Sequence, residues 1–178
     1  LGLNAFSVDP DECSAVVNDI ASGAVDNCSS DDNLTITYAI SGATTVGLGV
    51  GDASGTAFNV GVSTVTYTVQ DSAGNVETCS FQIEVVDDQL PNIDCPADVV
   101  VSVANPSDCS VIVNYTGVGA TDNCPGPVTV SLISGMGSGT NFPIGVNTET
   151  YQAIDVAGNI ATCSFSVTVN GPSAPTPS

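Results

Sequence analysis

The sequence predicts an all-β chain made of two tandem antiparallel β-sandwiches. Three observations predict it: an internal repeat, short apolar–polar alternations broken by Gly, Asn, Asp and Pro, and no stretch with a convincing helical period. The repeat sets the domain count. Cys13 and Asp26-Asn27-Cys28 recur 96 residues later as Cys109 and Asp122-Asn123-Cys124. Gly55-Thr56-Ala57-Phe58 with Gly61 recurs 84 residues later as Gly139-Thr140-Asn141-Phe142 with Gly145. In that second register, Tyr67, Asp71, Gly74-Asn75, Cys79 and Phe81 become Tyr151, Asp155, Gly158-Asn159, Cys163 and Phe165. The two registers differ by twelve residues (96 − 84), so the first copy carries an insert, which falls at residues 41–56.

Taken in order, residues 1–8 read as an opening strand and residues 34–40 as a middle strand. The Gly-rich insert reads as an enlarged loop or hairpin, with Gly47-Leu48-Gly49-Val50-Gly51 as its flexible tip. That run lacks the lysine and the strand-to-helix setting of a phosphate cradle. Val65, Tyr67 and Val69 share one face of the next strand, with Thr64, Thr66 and Thr68 on the other. Cys79, Phe81, Ile83 and Val85 are expected to point inward from the closing strand, as are Cys163, Phe165, Val167 and Val169 in the second copy, whose middle strand is 128–133. Glu149 stands where the first copy has Val65, and it is expected at a strand end. The expected boundaries are a first sandwich at 1–86, a short acidic linker at 87–91, a second sandwich at 92–170 and an extended Pro-rich tail at 171–178.

Composition narrows function. The 178 residues include 19 acidic ones and no Lys, Arg or His, where about 20 basic residues would be ordinary for this length. No histidine base, Schiff-base lysine, arginine clamp or histidine zinc ligand is available. A formal charge of −19 without a basic patch argues against nucleic acid and anionic membranes as partners. No apolar run reaches the roughly 18 residues of a membrane span. Hydrophobic residues make up 42% of the chain, so it is expected to fold. Seven cysteines point to disulfides and an oxidising, extracellular setting.

These residues together resemble the hyalin repeat, or HYR, family. The second copy carries the fuller pattern: Pro91-x-Ile93-x-Cys95-Pro96, Ala120-Thr121-Asp122-Asn123-Cys124, Phe142-Pro143-x-Gly145, Tyr151 to Asp155, Ala157-Gly158-Asn159 and Cys163-Ser164-Phe165. The first copy matches from Cys13 to Phe81. The resemblance implies immunoglobulin-like sandwiches in extracellular, often adhesive, multi-repeat proteins, and no enzymatic activity. In such a sandwich the first and last strands lie side by side, which implies Cys95 paired with Cys163, Cys109 with Cys124 and, by analogy, Cys13 with Cys28. Four cysteines allow three arrangements, so connectivity stays open. In the 96-residue register the counterpart of Cys95 would fall just before Leu1, leaving Cys79 without its expected partner. The open readings for Cys79 are a partner outside this sequence, a buried free thiol, a bond to another chain, or a groove filled by a neighbour's strand. Ligand spacing for a metal thiolate is missing.

Oxygen-rich loops leave hard-cation chemistry as a candidate. In an immunoglobulin-like sandwich, Asp122, Asn123, Asp155 and Asn159 fall in loops at one end of the second copy, where the linker carboxylates Asp87 and Asp88 enter. Asp9, Asp11 and Glu12 would face the junction from the first copy, whose own end site would use Asp26, Asp31, Asp32 and Asp71. Calcium is the cation expected, at an affinity of about 10⁻⁴–10⁻³ M. The competing reading needs no ion: Asp and Asn close turns through their own backbone, and Asp71-x-x-Gly74-Asn75 fits a hairpin turn. Asn27, Asn33 and Asn114 begin N-glycosylation sequons, and Asp71-Ser72-Ala73 resembles an O-glycosylation acceptor at Ser72.

The sequence therefore reads as a non-catalytic, extracellular structural or adhesive protein. Its expected partners are copies of itself or neighbouring repeats of a longer surface protein. Two further readings stand beside it. One is a subunit of a polymeric filament joined by strand addition or tail contacts. The other is a glycan- or protein-binding appendage of a larger secreted protein.

Overall fold

A computed structural model of the chain describes residues 4–25 and 33–172. Two compact units result, Leu1–Gln89 and Leu90–Ser178. The described residues hold strands and no α-helix. Strands of the first unit are β1 (Asn4–Ser7), β2 (Ser14–Val17), β3 (Thr35–Gly42), β4 (Val46–Val50), β5 (Thr56–Asn59), β6 (Gly61–Gln70) and β7 (Val76–Val86). Those of the second are β8 (Asn92–Asp94), β9 (Val99–Ser102), β10 (Ser110–Val113), β11 (Gly119–Thr121), β12 (Thr129–Ser134), β13 (Thr140–Pro143), β14 (Gly145–Ile154) and β15 (Ile160–Asn170).

Each unit is an immunoglobulin-like sandwich. In the first, a five-stranded sheet in the order β1-β7-β6-β3-β4 faces the β2-β5 pair. In the second, a four-stranded sheet in the order β12-β14-β15-β9 is accompanied by the β10-β13 and β11-β8 pairs. Pairing is antiparallel except at one edge of each large sheet, where the opening strand runs parallel to the closing one. There Asn4 lies opposite Ile83, and Val99 opposite Val167. Period-two alternation builds both cores. Val65 and Tyr67 of β6, Ile83 and Val85 of β7, Val17 of β2 and Phe58 of β5 pack together in the first unit. Val113, Phe142, Phe165, Val167 and Val169 do so in the second. Burial of each such side chain contributes roughly 1.5–3 kcal/mol.

The expected middle and closing strands are present, and three details differ from expectation. The presumed hairpin tip at Gly47–Gly51 is mostly β4 itself, returning along β3 with Thr37 opposite Val50. Cys79, expected to face inward, is exposed. Glu149 does not lie at a strand end. It sits in the middle of β14, opposite Phe165, and is completely buried. The reason lies in the loop that covers it.

Candidate functional site

Two loop systems and the cysteines carry the polar chemistry of the chain. The β14–β15 turn is closed by Asp155, which is buried. Its Oδ1 accepts from the backbone N–H groups of Gly158 (2.7 Å) and Asn159 (2.8 Å), and its Oδ2 from the Asn159 side-chain amide (2.8 Å). The first unit repeats the device. Asp71 accepts from Asn75 N (2.8 Å) and Asn75 Nδ2 (2.7 Å) in the β6–β7 turn. The Asn75 side chain and then its backbone N–H hold the Asp71 carboxyl below the ordinary value of 3.8. Asp155 and Asn159 are thus brought together as expected, and the bonds between them close a turn with no ion needed.

The remaining cation candidates are placed as follows. Asp122 Oδ1 accepts from Cys124 N at 2.9 Å, while its Oδ2 is buried with no hydrogen-bond partner. The Asn123 amide nitrogen lies 3.7 Å from Cys124 Sγ. Asp87 is buried and accepts from Gln89 N at 3.2 Å. Asp88 accepts from Ser7 Oγ at 2.7 Å, and Gln89 Nε2 donates to Asp9 O at 2.7 Å. These contacts fasten the 87–89 segment to the rest of the first unit. Asp26, Asp31 and Asp32 lie outside the described residues.

A buried polar cluster that sequence reasoning missed occupies the second unit. Glu149 Oε1 accepts from Met136 N (2.8 Å), and Oε2 accepts from Gly137 N (2.7 Å) and the Tyr115 hydroxyl (2.9 Å). The Tyr115 and Tyr151 hydroxyls are also 2.9 Å apart. Burial, then the hydrogen bonds to Tyr151 and Glu149, push the Tyr115 pKa far above the ordinary 10.0. Gly135 permits the close approach of this loop: its φ is +117°, and a Cβ there would collide with the Glu149 carboxyl. The legible signal was the pairing of a carboxyl on an apolar face with the run Gly135-Met136-Gly137-Ser138-Gly139, a loop slim enough to present backbone N–H groups.

The disulfide Cys95–Cys163 forms as the resemblance implied, with Cα atoms 6.0 Å apart. The expected Cys109–Cys124 bond does not form. Cys109 is free and exposed, whereas Cys124 is in a disulfide. The two cysteines belong to different strand pairs. Cys109 leads into β10, which pairs with β13, and Cys124 follows β11, which pairs with β8. Cys13 is disulfide-bonded. Its expected partner Cys28, and the sequon at Asn27, lie outside the described residues. Asn33, Asn114 and Ser72 are exposed, as acceptors of a modification must be. No described helix is long and apolar enough to cross a membrane. Among the described residues, Asp71 and Asp155 close turns and Glu149 satisfies core donors.

Comparison with known proteins adds the following. The family model described as HYR domain matches residues 12–85 and 86–169. Hyalin of Strongylocentrotus purpuratus is 39% identical over 115 residues, covering 63% of this chain and 9% of that protein. Hyalin of Lytechinus variegatus is 38% identical over 114 residues, covering 63% of this chain and 21% of that one. The chain thus spans a small part of the curated relatives it matches. Among solved structures, human protocadherin-24 EC1-2 is similar over 96% of this chain and 95% of that one, at 17% identity and a TM-score of 0.36.

Proposed function

Because this chain belongs to the HYR domain family through both of its units, we propose that it is a non-catalytic, extracellular structural and adhesive element. Its work is mechanical: tandem sandwiches with packed cores, stapled by disulfides, present surface to neighbouring repeats or to copies of the same chain. The observation that carries this reading is the tandem HYR match along nearly the whole chain. The roles of Asp71 and Asp155 in closing turns and of Glu149 in satisfying core donors support it. Beads coated with the chain should attach to surfaces bearing the chain or its neighbouring repeats more than beads coated with reduced, alkylated chain. Absence of attachment, together with turnover of any glycoside, ester or peptide in a broad panel, would overturn the proposal.

Calcium remains a proposal for the second unit alone, and one atom favours it. Asp122 Oδ2 is a buried carboxylate oxygen without a donor, which a cation could satisfy. Millimolar calcium should then raise the unfolding midpoint of the wild-type chain and leave Asp122→Asn unchanged. Equal midpoints for wild type with calcium and with chelator would remove the site.

A further inference from the structure

Strand β4 belongs to the first unit alone, because the insert that forms it is missing from the second. It is the outermost strand on one side of the sheet β1-β7-β6-β3-β4. Two contacts seat it firmly. Val46 lies opposite Ile40 and packs against the core. Gly49 lies so close to the Tyr38 ring that a Cβ there would stand 2.5 Å from the ring carbons. A register shift between Tyr38 and Ile40 lets Val46 face the core while Leu48 and Val50 face the other way. Val50 lies opposite Thr37, and Thr37 opposite Thr68, on the outer face of the sheet.

The outer side of β4 is open. Among the described residues, no hydrogen bond reaches the strand from that side. Its sequence, VGLGV, has neither the charge nor the proline that ordinarily blunts a sheet edge. Leu48 and Val50 are 79% and 83% exposed. Residues 33–51 hold none of the carboxylates, and the first one beyond them, Asp52, accepts from the Ser54 N–H in the next turn. A chain of net charge −19 with no basic residue repels copies of itself over most of its surface. A basic partner is drawn to the carboxylates and has no charge to meet at β4. A second copy meets least repulsion at this edge, and it brings the same open backbone, the same aliphatic pair and no charge.

We propose that β4 pairs antiparallel with β4 of a second copy about a two-fold axis, so that two first units share one continuous sheet. The open N–H and C=O groups of each edge satisfy those of the other. Leu48 and Val50 of one copy become cross-strand neighbours of the same two side chains in the other, which supplies apolar contact. Repulsion between the two chains limits the strength of the pair, so it tightens as salt screens the carboxylates. The inference rests on the reading above, in which the chain contacts copies of itself, and names the edge that makes the contact.

The test is sedimentation equilibrium of the whole chain, with its exposed thiols capped by iodoacetamide so that no disulfide joins two copies. A dimer should form, with a dissociation constant roughly tenfold lower at about 0.5 M than at about 0.05 M sodium chloride. Leu48→Glu and, independently, Val50→Glu set like charges across the axis. Each should give a monomer with an unchanged circular dichroism spectrum. Ile133→Glu makes the same change of charge at a position of the second unit that is 51% exposed, and it should dimerise as wild type does. A monomer at every salt concentration, or a dimer that survives in Leu48→Glu and Val50→Glu, would overturn the proposal. Loss of the dimer in Ile133→Glu as well would also overturn it, because net charge and not the β4 edge would then decide association. Such a failure leaves attachment to neighbouring repeats, which the coated beads report, as it was.

Discussion

The same strand position is Val65 in the first unit and Glu149 in the second, and both side chains are 0% exposed. A valine and a carboxyl group are ordinarily not interchangeable in a core, since a buried carboxyl without donors costs several kcal/mol. The loop above the strand makes the difference. In the first unit the insert returns as β4, and Val46 packs against the core beneath it. The polar needs of that sheet are met elsewhere: the Tyr67 hydroxyl accepts from Ala53 N and donates to Ile20 O, each at 2.8 Å. In the second unit the insert is missing, and a five-residue Gly-rich loop drops two backbone N–H groups toward the core. Those donors need an acceptor, and Glu149 is that acceptor. Loop length therefore selects the chemistry of a strand two elements away in sequence.

Exchanging the two residues tests this account most severely. Val65→Glu places a carboxyl in a core with no donors waiting, and should destabilise the first unit by about 4 kcal/mol or more. Amide hydrogen exchange should then show protection lost from β3, β6 and β7 and kept in β12, β14 and β15. Retained protection in all six strands would mean that the first unit supplies donors of its own.

The staple is the next contrast. Removing Cys95–Cys163 by the paired change Cys95→Ala with Cys163→Ala releases a loop with a sequence separation of 68. Chain entropy then predicts a loss of about 4 kcal/mol for the second unit. Cys79→Ser, at the matching free thiol, should shift the first unit by less than about 0.5 kcal/mol. Denaturant midpoints of the two variants check both figures.

The reverse exchange, Glu149→Val, leaves Met136 N, Gly137 N and the Tyr115 hydroxyl without their acceptor. The expected cost is about 3 kcal/mol, with Glu149→Gln costing less because it keeps an acceptor oxygen. A valine variant as stable as wild type in urea would show that the loop re-pairs its donors elsewhere.

The smallest effect concerns the acidic turns. Asp71 has a folded-state pKa below 3.8, so its contribution is complete above the unfolded value near 3.8 and is lost as pH falls through the lower folded value. Thermal midpoints between pH 2 and pH 5 should drop less steeply in Asp71→Asn than in wild type. Identical slopes would assign the acid sensitivity of the turn to other carboxylates.

Much of this was legible in the sequence, and the failures have specific causes. The alternation around Tyr67 and Tyr151, the repeat registers and the Asp-x-x-Gly-Asn turns depend on neighbours close in the chain. Their reading needed no fold. Cys95 with Cys163 followed from the side-by-side placement of opening and closing strands, a property of the architecture as a class. Cys109 with Cys124 failed because a spacing of fifteen residues does not say which strand pair each cysteine joins. Glu149 was misplaced because its partners lie 12 and 13 residues back along the chain and, at Tyr115, 34 residues back.

The sequence by itself determined an all-β chain, its division into two repeats, the short reach of its polar turns and the exclusion of chemistry that needs Lys, Arg or His. These are matters of composition, period and local backbone geometry. Only the tertiary structure decided that Glu149 satisfies a loop from inside the core, that Cys109 stands free, and that Cys79 is exposed where its counterpart Cys163 is half-buried and bonded to Cys95. Those outcomes depend on which segments meet across the sandwich, and hydrogen-bond donors, thiols and apolar walls have consequences only when their partners arrive or fail to arrive.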